Sequence, residues 1–593
     1  MKKRFLTITS FLLTFSMFLG ACVGGGTEDS GNDTYKDYTS STVMFEDYSL
    51  IDQKSYDESF DDTVYYRNDL KQDMGDPMVV YDEKSNLFYA YGTRGGDGTI
   101  EYFTSTDLTN WTRGGVCMQL PKNSWAMGDK NPDKPNEGRT LWAPDVQYIN
   151  GKYYMYFTVP MYSGAQIAVA VGDSLTKFEL FSGTNADGEI IDYTRNTFSG
   201  MEGETILDQN VFQDDDGKLY MYFSYDTGKS KIAANQGKYA EIWGVQLKDP
   251  VTWDLSTLTR IAVPGLKNLQ DNYDRGLITW EYCSSSFQNG FRCSEGPYMI
   301  KKNGKYILTY VSNSFEDNQY NVGYALSDSP LSDFEKPYDP NDAMKNMLLG
   351  VPGEPGTAIE SKYINFQTGT GHASIVKVGN EYMFAYHAHM NRDRWGVQND
   401  WSNHGDYRAL GLDYLYFAGD GTPYTNGPTF SLQRLPEKVS GLKNLALENG
   451  VGITTTLQSA ANLGKLIDNK TSRIFDNSHD AKFRKGKTRI VVTLPKEYAI
   501  KAVNIYNSAD YDTSIQYIDQ IDFMNDNVVR DIYFNPNYIG ERALTVGTEK
   551  YILPHTAFHV YLNDYVYTNK IVITIDADSE FTLGEIEILG GTI

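Results

Sequence analysis

The sequence predicts an all-β protein: a five-bladed β-propeller followed by a β-sandwich of the jelly-roll type. Three observations favour this fold class. One hairpin pattern recurs five times, helical periodicity is almost absent from residues 46–436, and the pattern changes beyond residue 436. Each recurring unit consists of a short apolar strand, a polar turn and a Tyr-rich strand. The five units are residues 76–93, 141–159, 208–225, 295–312 and 372–388.

The second unit shows the pattern most clearly. Its sequence is LWAPDVQYINGKYYMYFTV, in which Asn150 and Gly151 form a hairpin turn between an apolar strand and an aromatic strand. The units start about 65 to 85 residues apart, and a recurring spacing between similar units is typical of propellers and solenoids. Five units therefore predict five blades, and most of the 45 Tyr residues are expected to pack within these sheets.

The starts of the units carry polar side chains. In a propeller the innermost strand of each blade follows the central channel, so equivalent strand ends converge on one axis. A single carboxylate at a strand start is typical of a turn. The whole set at one channel mouth indicates instead a catalytic or binding site. The positions that we align are Asp76, Asp145, Asn210 or Asp208, Glu295 and His372.

The N-terminus has the order of a secretory signal. Three basic residues precede an apolar run over residues 5–19, which is too short to span a bilayer comfortably. The sequence LGAC that ends at Cys22 resembles a bacterial lipoprotein box. We therefore predict that residues 1–21 are a lipoprotein signal peptide, that Cys22 carries lipid, and that residues 22–45 form a flexible linker. The protein is then expected at the cell surface, anchored in the membrane; the alternative is an ordinary signal peptide cleaved near Ala21.

Charge and cysteine content exclude some functions. The formal net charge of −24, with no basic block to offset it, argues against a nucleic-acid partner. No Cys and His spacing indicates a zinc site. Cys283 and Cys293 lie close together in the sequence, and both a disulfide and two buried thiols are compatible with that spacing.

Four short motifs resemble glycoside hydrolase family 43. They are Gly75-Asp76-Pro77, Trp142-Ala143-Pro144-Asp145, Glu295-Gly296-Pro297-Tyr298 and Gly371-His372. The stretch 408–428 is similar to the one that closes the catalytic domain of that family. The resemblance covers about residues 60–435, so a catalytic propeller over residues 46–436 is expected. It implies an inverting glycoside hydrolase acting on plant cell-wall polysaccharide or oligosaccharide, as an α-L-arabinofuranosidase or a β-xylosidase.

The same resemblance implies roles for individual residues. Asp76 is expected to be the general base and Glu295 the general acid, while Asp145 raises the pKa of the acid and orients substrate. Glycoside hydrolysis needs one ionised and one protonated carboxyl group, and a third carboxylate nearby keeps the acid protonated. The residues expected to bind the carbohydrate (arabinan, arabinoxylan, xylan or their oligosaccharides) are Trp142, Asn210 and Arg408. His372 is expected in the channel, either on a calcium ion or hydrogen-bonded without metal; no other cofactor is predicted.

Residues 437–593 resemble a discoidin-like, galactose-binding-type β-sandwich. The resemblance lies in residues 447–470, in the alternating runs RIVVTL and IKAVNIYN, and in the closing run FTLGEIEI. Such a domain is either a carbohydrate-binding module or a structural appendage.

Two alternatives to the predicted activity remain open. The protein is either a glycan-binding lipoprotein whose propeller has lost turnover, or a related hydrolase that acts on galactosides or fructosides. The presence of both Asp76 and Glu295 favours an active hydrolase, since loss of either acid is the simplest route to a binding protein.

Overall fold

The fold was analysed in a computed structural model. It describes residues 60–592 except 69, 95, 134–137, 228–238, 272–276, 283–291, 317–318, 343, 351–366, 391–407, 430, 457–459, 472–476, 509, 516–517, 526–527, 535–542, 547–548 and 553–556. The predicted signal peptide, the linker, Cys22 and Cys283 lie outside the described residues. In the described part of the chain, no helix is long and apolar enough to cross a membrane.

The prediction of a five-bladed propeller is confirmed, because the chain forms five successive four-stranded antiparallel units after a short strand β1 (Tyr65–Tyr66). Blade 1 comprises β2 (Gly75–Asp82), β3 (Leu87–Thr93), β4 (Thr99–Ser105) and β5 (Thr112–Gln119). Blade 2 comprises β6 (Trp142–Ile149), β7 (Lys152–Met161), β8 (Gly164–Ser174) and β9 (Lys177–Leu180). A small hairpin of β10 (Gly183–Thr184) and β11 (Ile190–Ile191) follows.

The last three blades have the same order. Blade 3 comprises β12 (Ile206–Gln213), β13 (Leu219–Asp226), β14 (Tyr239–Asp249) and β15 (Thr252–Ala262). Blade 4 comprises β16 (Arg292–Lys302), β17 (Lys305–Ser312), β18 (Asn321–Ser327) and β19 (Met347–Leu349). Blade 5 comprises β20 (Gln367–Val378), β21 (Glu381–Met390), β22 (Ala409–Phe417) and β23 (Pro423–Tyr424). The first strands of the blades neighbour one another in a closed ring, in the order β2, β6, β12, β16, β20 and back to β2.

Each first strand carries a β-bulge near its start, where two of its residues face one residue of the second strand. The first bulge residue has left-handed backbone in all five blades. These residues are Asp76 (φ 49°), Ala143 (φ 45°), Asp208 (φ 57°), Gly296 (φ 56°) and His372 (φ 49°). The bulge therefore defines one equivalent position per blade at one end of the ring.

Tyrosines of the second strands tie the first three blades to their neighbours. Tyr91, Tyr156 and Tyr222 are buried, and each lies opposite the residue that follows the bulge. Their hydroxyl groups donate to the carbonyl oxygens of Leu175 (2.5 Å), Pro250 (2.8 Å) and Pro330 (2.8 Å) respectively, each in the next blade or its turns. Because a buried hydroxyl needs a partner, these bonds fix how consecutive blades pack.

The ring closes between the beginning and the end of the propeller. β1 pairs with β24 (Gln433–Arg434), and the segment before β2 pairs with the start of β22. There, the Met74 N–H donates to the Arg408 carbonyl oxygen at 2.6 Å, and the Leu410 N–H donates to the Gln72 carbonyl oxygen at 2.9 Å. The backbone of Arg408 is thus held by the chain that leads into blade 1.

The C-terminal part is also all-β and is consistent with the predicted β-sandwich. After α1 (Glu437–Ser440), strands β25 to β34 follow, of which β31 and β32 form a separate hairpin. They are β25 (Lys443–Asn444), β26 (Gly452–Thr455), β27 (Ala481–Phe483), β28 (Gly486–Asn507), β29 (Gln520–Asn525), β30 (Val528–Phe534), β31 (Ala543–Val546), β32 (Glu549–Ile552), β33 (Ala557–Ala577) and β34 (Phe581–Gly591).

Single 3₁₀ turns connect the strands. They are Trp125–Met127, Thr279–Tyr282, Leu445–Leu447, Leu463–Ile467 and Tyr511–Thr513. The long strands β28 and β33 pair along most of their length, and their register shifts at Thr493/Tyr498 and Ile500/Ala502. Buried Ile, Val and Phe side chains from both halves of these strands form one apolar core. The predicted boundary at residue 437 stays a prediction, although the order of elements changes there.

The strands that close the propeller also contact the C-terminal sheet. The Tyr65 hydroxyl on β1 donates to Asn504 Oδ1 on β28 at 2.8 Å. Arg434 on β24 donates to Glu381 Oε1 of blade 5 at 2.7 Å and to Glu587 Oε1 on β34 at 3.3 Å. The Arg434 side chain is only 5 % exposed. Ring closure and packing of the C-terminal domain therefore share one buried interface.

This interface predicts a large loss of stability on Arg434→Met. The variant leaves Glu381 and Glu587 without their cation, and breaking a buried ion pair costs about 3–5 kcal/mol of the free energy of unfolding. Urea denaturation followed by circular dichroism measures the loss. Lys177→Met serves as the control, because its ion pair with Glu179 is exposed on both sides and should contribute little. Equal denaturation midpoints for the two variants would contradict the proposed importance of the interface.

Candidate active site

Asp76 lies at the bulge of β2 in a cationic environment. Its Oδ1 atom accepts a hydrogen bond from Arg408 Nη1 at 2.7 Å and lies 3.3 Å from His372 Nδ1. Its Oδ2 atom accepts from the Thr93 hydroxyl at 2.5 Å. Burial alone raises the pKa of Asp76, but the Arg408 guanidinium outweighs it and holds the pKa well below its usual range. Asp76 is therefore ionised at neutral pH.

The absence of a side chain at Gly75 leaves space for the Arg408 guanidinium. A methyl group at Gly75 would overlap the Arg408 guanidinium, so a residue with a side chain is incompatible with this ion pair. The guanidinium also lies over the Phe315 ring, 5.0 Å from its centroid. The predicted contact of Arg408 with a sugar hydroxyl stays a prediction, while its contact with Asp76 is a feature of the structure.

His387 on β21 lies next to Asp76 and is hydrogen-bonded to its backbone. Its Nδ1 atom accepts a hydrogen bond from the Asp76 backbone N–H at 3.1 Å, so the ring proton is on Nε2. Burial lowers the pKa of His387 to about 3, which keeps the ring neutral. The ring stacks on Tyr320, with centroids 5.3 Å apart and an interplanar angle of 8°.

Glu295 on β16 lies beside the bulge of blade 4 and accepts from two side chains. The Tyr320 hydroxyl donates to Oε1 at 2.6 Å, and the Cys293 thiol lies 3.5 Å from Oε2. Burial raises the pKa of Glu295. Because the phenol is a stronger donor than the thiol, Oε2 is the oxygen that more readily carries a proton. Cys293 is a free thiol.

Asp208, at the bulge of blade 3, is the carboxylate that interacts with Glu295. Burial raises its pKa well above the usual range, and the charges of Glu295 and then Asp76 raise it further, while the backbone N–H of Gly296 opposes the shift. Two neighbouring buried carboxyl groups cannot both ionise easily, so the charge of Glu295 adds to the burial that raises the pKa of Asp208.

Asp145 lies in a different position of its blade from Asp76, and its predicted role stays a prediction. Asp145 follows the bulge of blade 2, and the residue equivalent to Asp76 in that blade is Ala143. The oxygens of Asp145 accept from the Val211 N–H at 2.8 Å, from Gln147 Nε2 at 2.8 Å and from Asn210 Nδ2 at 3.3 Å. Burial raises its pKa to about 7. Asp145 is thus a buried group that links blades 2 and 3, whereas the charge interaction with Glu295 involves Asp208.

Asn210 is likewise misplaced in our prediction. It is 2 % exposed, and its amide is used within the protein: Nδ2 donates to Asp145, and Oδ1 accepts from the Met299 N–H at 2.9 Å. Its amide thus joins blades 2, 3 and 4. Trp142, the third residue predicted to bind substrate, is partly exposed and lines a cleft beside the bulge of blade 2.

The surroundings of His372 do not fit a calcium ion. Calcium takes six to eight oxygen ligands, whereas the His372 Nδ1 atom faces a carboxylate oxygen that already accepts from a guanidinium. No group of three or more His, Cys, Asp and Glu side chains is arranged to hold a metal ion within the described ranges. Burial lowers the pKa of His372, which favours the neutral ring. Calcium in the channel stays a prediction.

Sequence reasoning named Asp208 only as the alternative to Asn210, and it missed His387, Tyr320 and Thr93 as members of the site. One sequence signal bears on the register of Asp145: Pro77, Pro144 and Pro297 all occupy the second bulge position. Alignment on these prolines pairs Asp76 with Ala143 and leaves Asp145 two residues further on. No comparable signal marks the other three residues, because they lie on second strands or on a connecting segment.

Comparison with known proteins identifies the family. The sequence pattern described as "Glycosyl hydrolases family 43" matches residues 66–423. The chain belongs to glycosyl hydrolases family 43. Members of this family hydrolyse O-glycosyl bonds, so the chain is a glycosidase.

Several family 43 relatives are similar at low identity. Beta-D-galactofuranosidase xynD of Aspergillus niger is 25 % identical over 350 residues, which are 58 % of this chain and 80 % of the relative. Extracellular endo-alpha-(1->5)-L-arabinanase 2 of Bacillus subtilis is 25 % identical over 316 residues, 49 % of this chain and 54 % of the relative. The chain thus spans about half the length of the second relative.

Among solved structures, a thermostable family-43 glycoside hydrolase has a TM-score of 0.42 and 24 % identity, over 62 % of this chain and 98 % of that one. An endo-1,4-beta-xylanase from Bacteroides thetaiotaomicron has a TM-score of 0.40 and 24 % identity, over 62 % and 96 %.

The geometry predicts different pH profiles for Asp208→Asn and Asp145→Asn. Activity needs a protonated acid, so it is lost as the pH rises through the raised pKa of the Asp208 and Glu295 pair. Asp208→Asn removes the neighbouring charge and lowers the pKa of Glu295, which moves the alkaline limb of kcat/KM to lower pH by about 1 unit. Asp145→Asn, the control, should leave that limb in place. A shift in Asp145→Asn alone would restore our original assignment.

Proposed function

We propose that the protein is an inverting glycoside hydrolase that cleaves arabinofuranosyl or xylosyl linkages of plant polysaccharide or oligosaccharide. One observation carries the proposal. Asp76, with the Arg408 guanidinium beside it, has a pKa well below its usual range, whereas burial raises the pKa values of both Asp208 and Glu295. Carboxyl groups at one channel with pKa values moved in opposite directions are what acid and base catalysis of glycoside hydrolysis needs.

The proposed reaction is a single displacement. A water molecule loses one proton to Asp76 while its oxygen attacks the anomeric carbon. The bond from that carbon to the leaving oxygen breaks, and the leaving oxygen takes the proton from Oε2 of Glu295. Both carboxyl groups must then exchange their protons with solvent before the next turnover. Because water attacks one face of the sugar ring and the leaving group departs from the other, the anomeric configuration is inverted.

The other residues hold these groups in their protonation states. Arg408 and Thr93 each donate to one oxygen of Asp76, which favours its ionised form. Asp208 takes the role that we had predicted for Asp145, because its charge disfavours ionisation of Glu295. Tyr320 orients the acid, and Gly371 leaves room for its ring, since a methyl group there would overlap it.

The proposed sugar is supported by the names of the relatives. They include arabinanases and alpha-L-arabinofuranosidases, whose substrates contain arabinofuranose. The name of the galactofuranosidase relative favours one second candidate, a hydrolase of galactofuranosides. The alternative of a non-catalytic glycan-binding protein is disfavoured by the complete set of Asp76, Asp208 and Glu295.

A leaving-group series tests the proposed roles of the acid and the base. Glu295→Gln should lower kcat/KM by about 10²- to 10⁴-fold with poor leaving groups and much less with activated nitrophenyl glycosides. Asp76→Asn should lower it equally with all leaving groups, because water activation does not depend on the leaving oxygen. The panel contains nitrophenyl arabinofuranoside, xyloside and galactofuranoside, with arabinan and xylan.

Product anomers are followed by NMR in the same experiment. Retention of configuration in the wild type would contradict the single displacement. Equal sensitivity of the two variants to the leaving group would show that the roles are assigned wrongly. No turnover of any substrate by the wild type would favour the glycan-binding alternative.

We further propose that the protein is a bacterial lipoprotein, tethered at the cell surface through Cys22 and residues 23–45. The order of basic residues, apolar run and LGAC sequence supports this. Mass spectrometry of the mature N-terminus should find a lipid-modified Cys22, and an unmodified N-terminus would contradict the anchor.

We also propose that residues 437–593 form a discoidin-like domain. The long paired strands around one apolar core support this relation. Its contacts with β1 and β24 support a structural contribution to the propeller in addition to any carbohydrate binding.

A further inference from the structure

A cleft of about 450 Å³ opens on blade 2, between the loop before β6 and the turn that joins β7 to β8. The residues that matter for its chemistry are Lys130, Asn131, Arg139, Trp142, Met161 and Tyr162. We propose that this cleft binds glycosyl units of the substrate beyond the one that is cleaved. The inference rests on the proposed function and adds to it a second part of the substrate site.

The cleft is linked to the base by two hydrogen bonds. Trp142 immediately precedes Ala143, whose backbone N–H donates to the Thr93 hydroxyl oxygen at 2.9 Å. The same hydroxyl donates to Asp76 Oδ2 at 2.5 Å. Trp142 also occupies the position of blade 2 that is equivalent to Glu295 in blade 4, just before the bulge. The cleft therefore lies at the channel end of the propeller that carries the acid and the base, within reach of an oligosaccharide bound there.

The walls of the cleft are fixed by internal hydrogen bonds. Arg139 is 7 % exposed and donates to the carbonyl oxygens of Pro160 and, at 2.5 Å, Gly128. On the other side, the Tyr162 N–H donates to the Asp129 carbonyl oxygen at 3.0 Å, and the Ser163 N–H donates to Asp129 Oδ2 at 3.0 Å. The loop and the turn are thus joined to each other, so ligand binding does not have to order them.

Tyr162 is an exposed aromatic residue that lines the cleft. Tyr91, Tyr156 and Tyr222 are buried between blades, whereas Tyr162 is 63 % exposed at the edge of the cleft. With Trp142 it offers aromatic surface, and Lys130 and Asn131 add hydrogen-bonding groups beside it. Apolar ring faces next to a few polar groups suit an uncharged sugar chain, which presents C–H faces and hydroxyl edges.

The test compares substrates of different length. Tyr162→Ala is assayed on a nitrophenyl glycoside and on oligosaccharides of two to six units of the sugar that the wild-type protein cleaves. We expect an unchanged kcat/KM on the nitrophenyl glycoside and a loss of about 5- to 15-fold on the longer oligosaccharides. Tyr148→Ala is the matched control, because Tyr148 is a 59 % exposed tyrosine on the same blade and does not line the cleft. It should behave as the wild type at every length.

Two results would overturn the inference alone. One is an active wild-type protein for which Tyr162→Ala has no effect at any length. The other is an equal loss on the nitrophenyl glycoside and on the oligosaccharides, which would assign Tyr162 to the pocket of the cleaved sugar or to folding. A wild-type protein without activity on any glycoside would overturn the proposed function, and this inference with it.

Discussion

The β-bulge at the channel end of each inner strand is the constraint on which the site depends. A bulge sets two residues against one, and the first of them here adopts left-handed backbone in every blade. For Asp and His this conformation costs roughly 1 kcal/mol or more, so it persists only where other contacts hold it. Those contacts exist: Asp76, Asp208 and His372 lie far apart in the chain and interact across the ring.

The bulges bring the ionisable groups together, and their surroundings then divide them into two classes. The Asp76 carboxylate accepts hydrogen bonds from Arg408 and from the Thr93 hydroxyl, and the Asp76 backbone N–H donates to the neutral His387 ring. Asp208 and Glu295 have each other and few cations nearby. The same residue type is consequently ionised in one blade and reluctant to ionise in another, and the difference arises from neighbours in other blades.

Much of this architecture could be predicted from the sequence, because the period-2 pattern and the hairpin turns are local signals. The five units, Asp76 and Glu295 were found in that way. The alignment of Asp145 with Asp76 differs from the register in the structure, because a bulge shifts the register within a strand and counting from the start of an apolar run does not reveal the shift. Thr93, Tyr320 and His387 could not be found, since their importance comes from contacts with distant blades. The burial of Asn210 likewise arises from contacts with other blades, which the sequence does not show.

The closure of the ring determines when the catalytic site can form during synthesis. Arg408, the partner of Asp76, comes from blade 5, and its backbone is held by hydrogen bonds to the segment that precedes blade 1. During synthesis the first blade is complete long before Arg408 has been made. Until the two ends of the propeller meet, Asp76 lacks the cation that keeps its pKa low. The ion pair of the base therefore forms only once the whole ring is complete, and a chain that ends before blade 5 has Asp76 without its guanidinium partner.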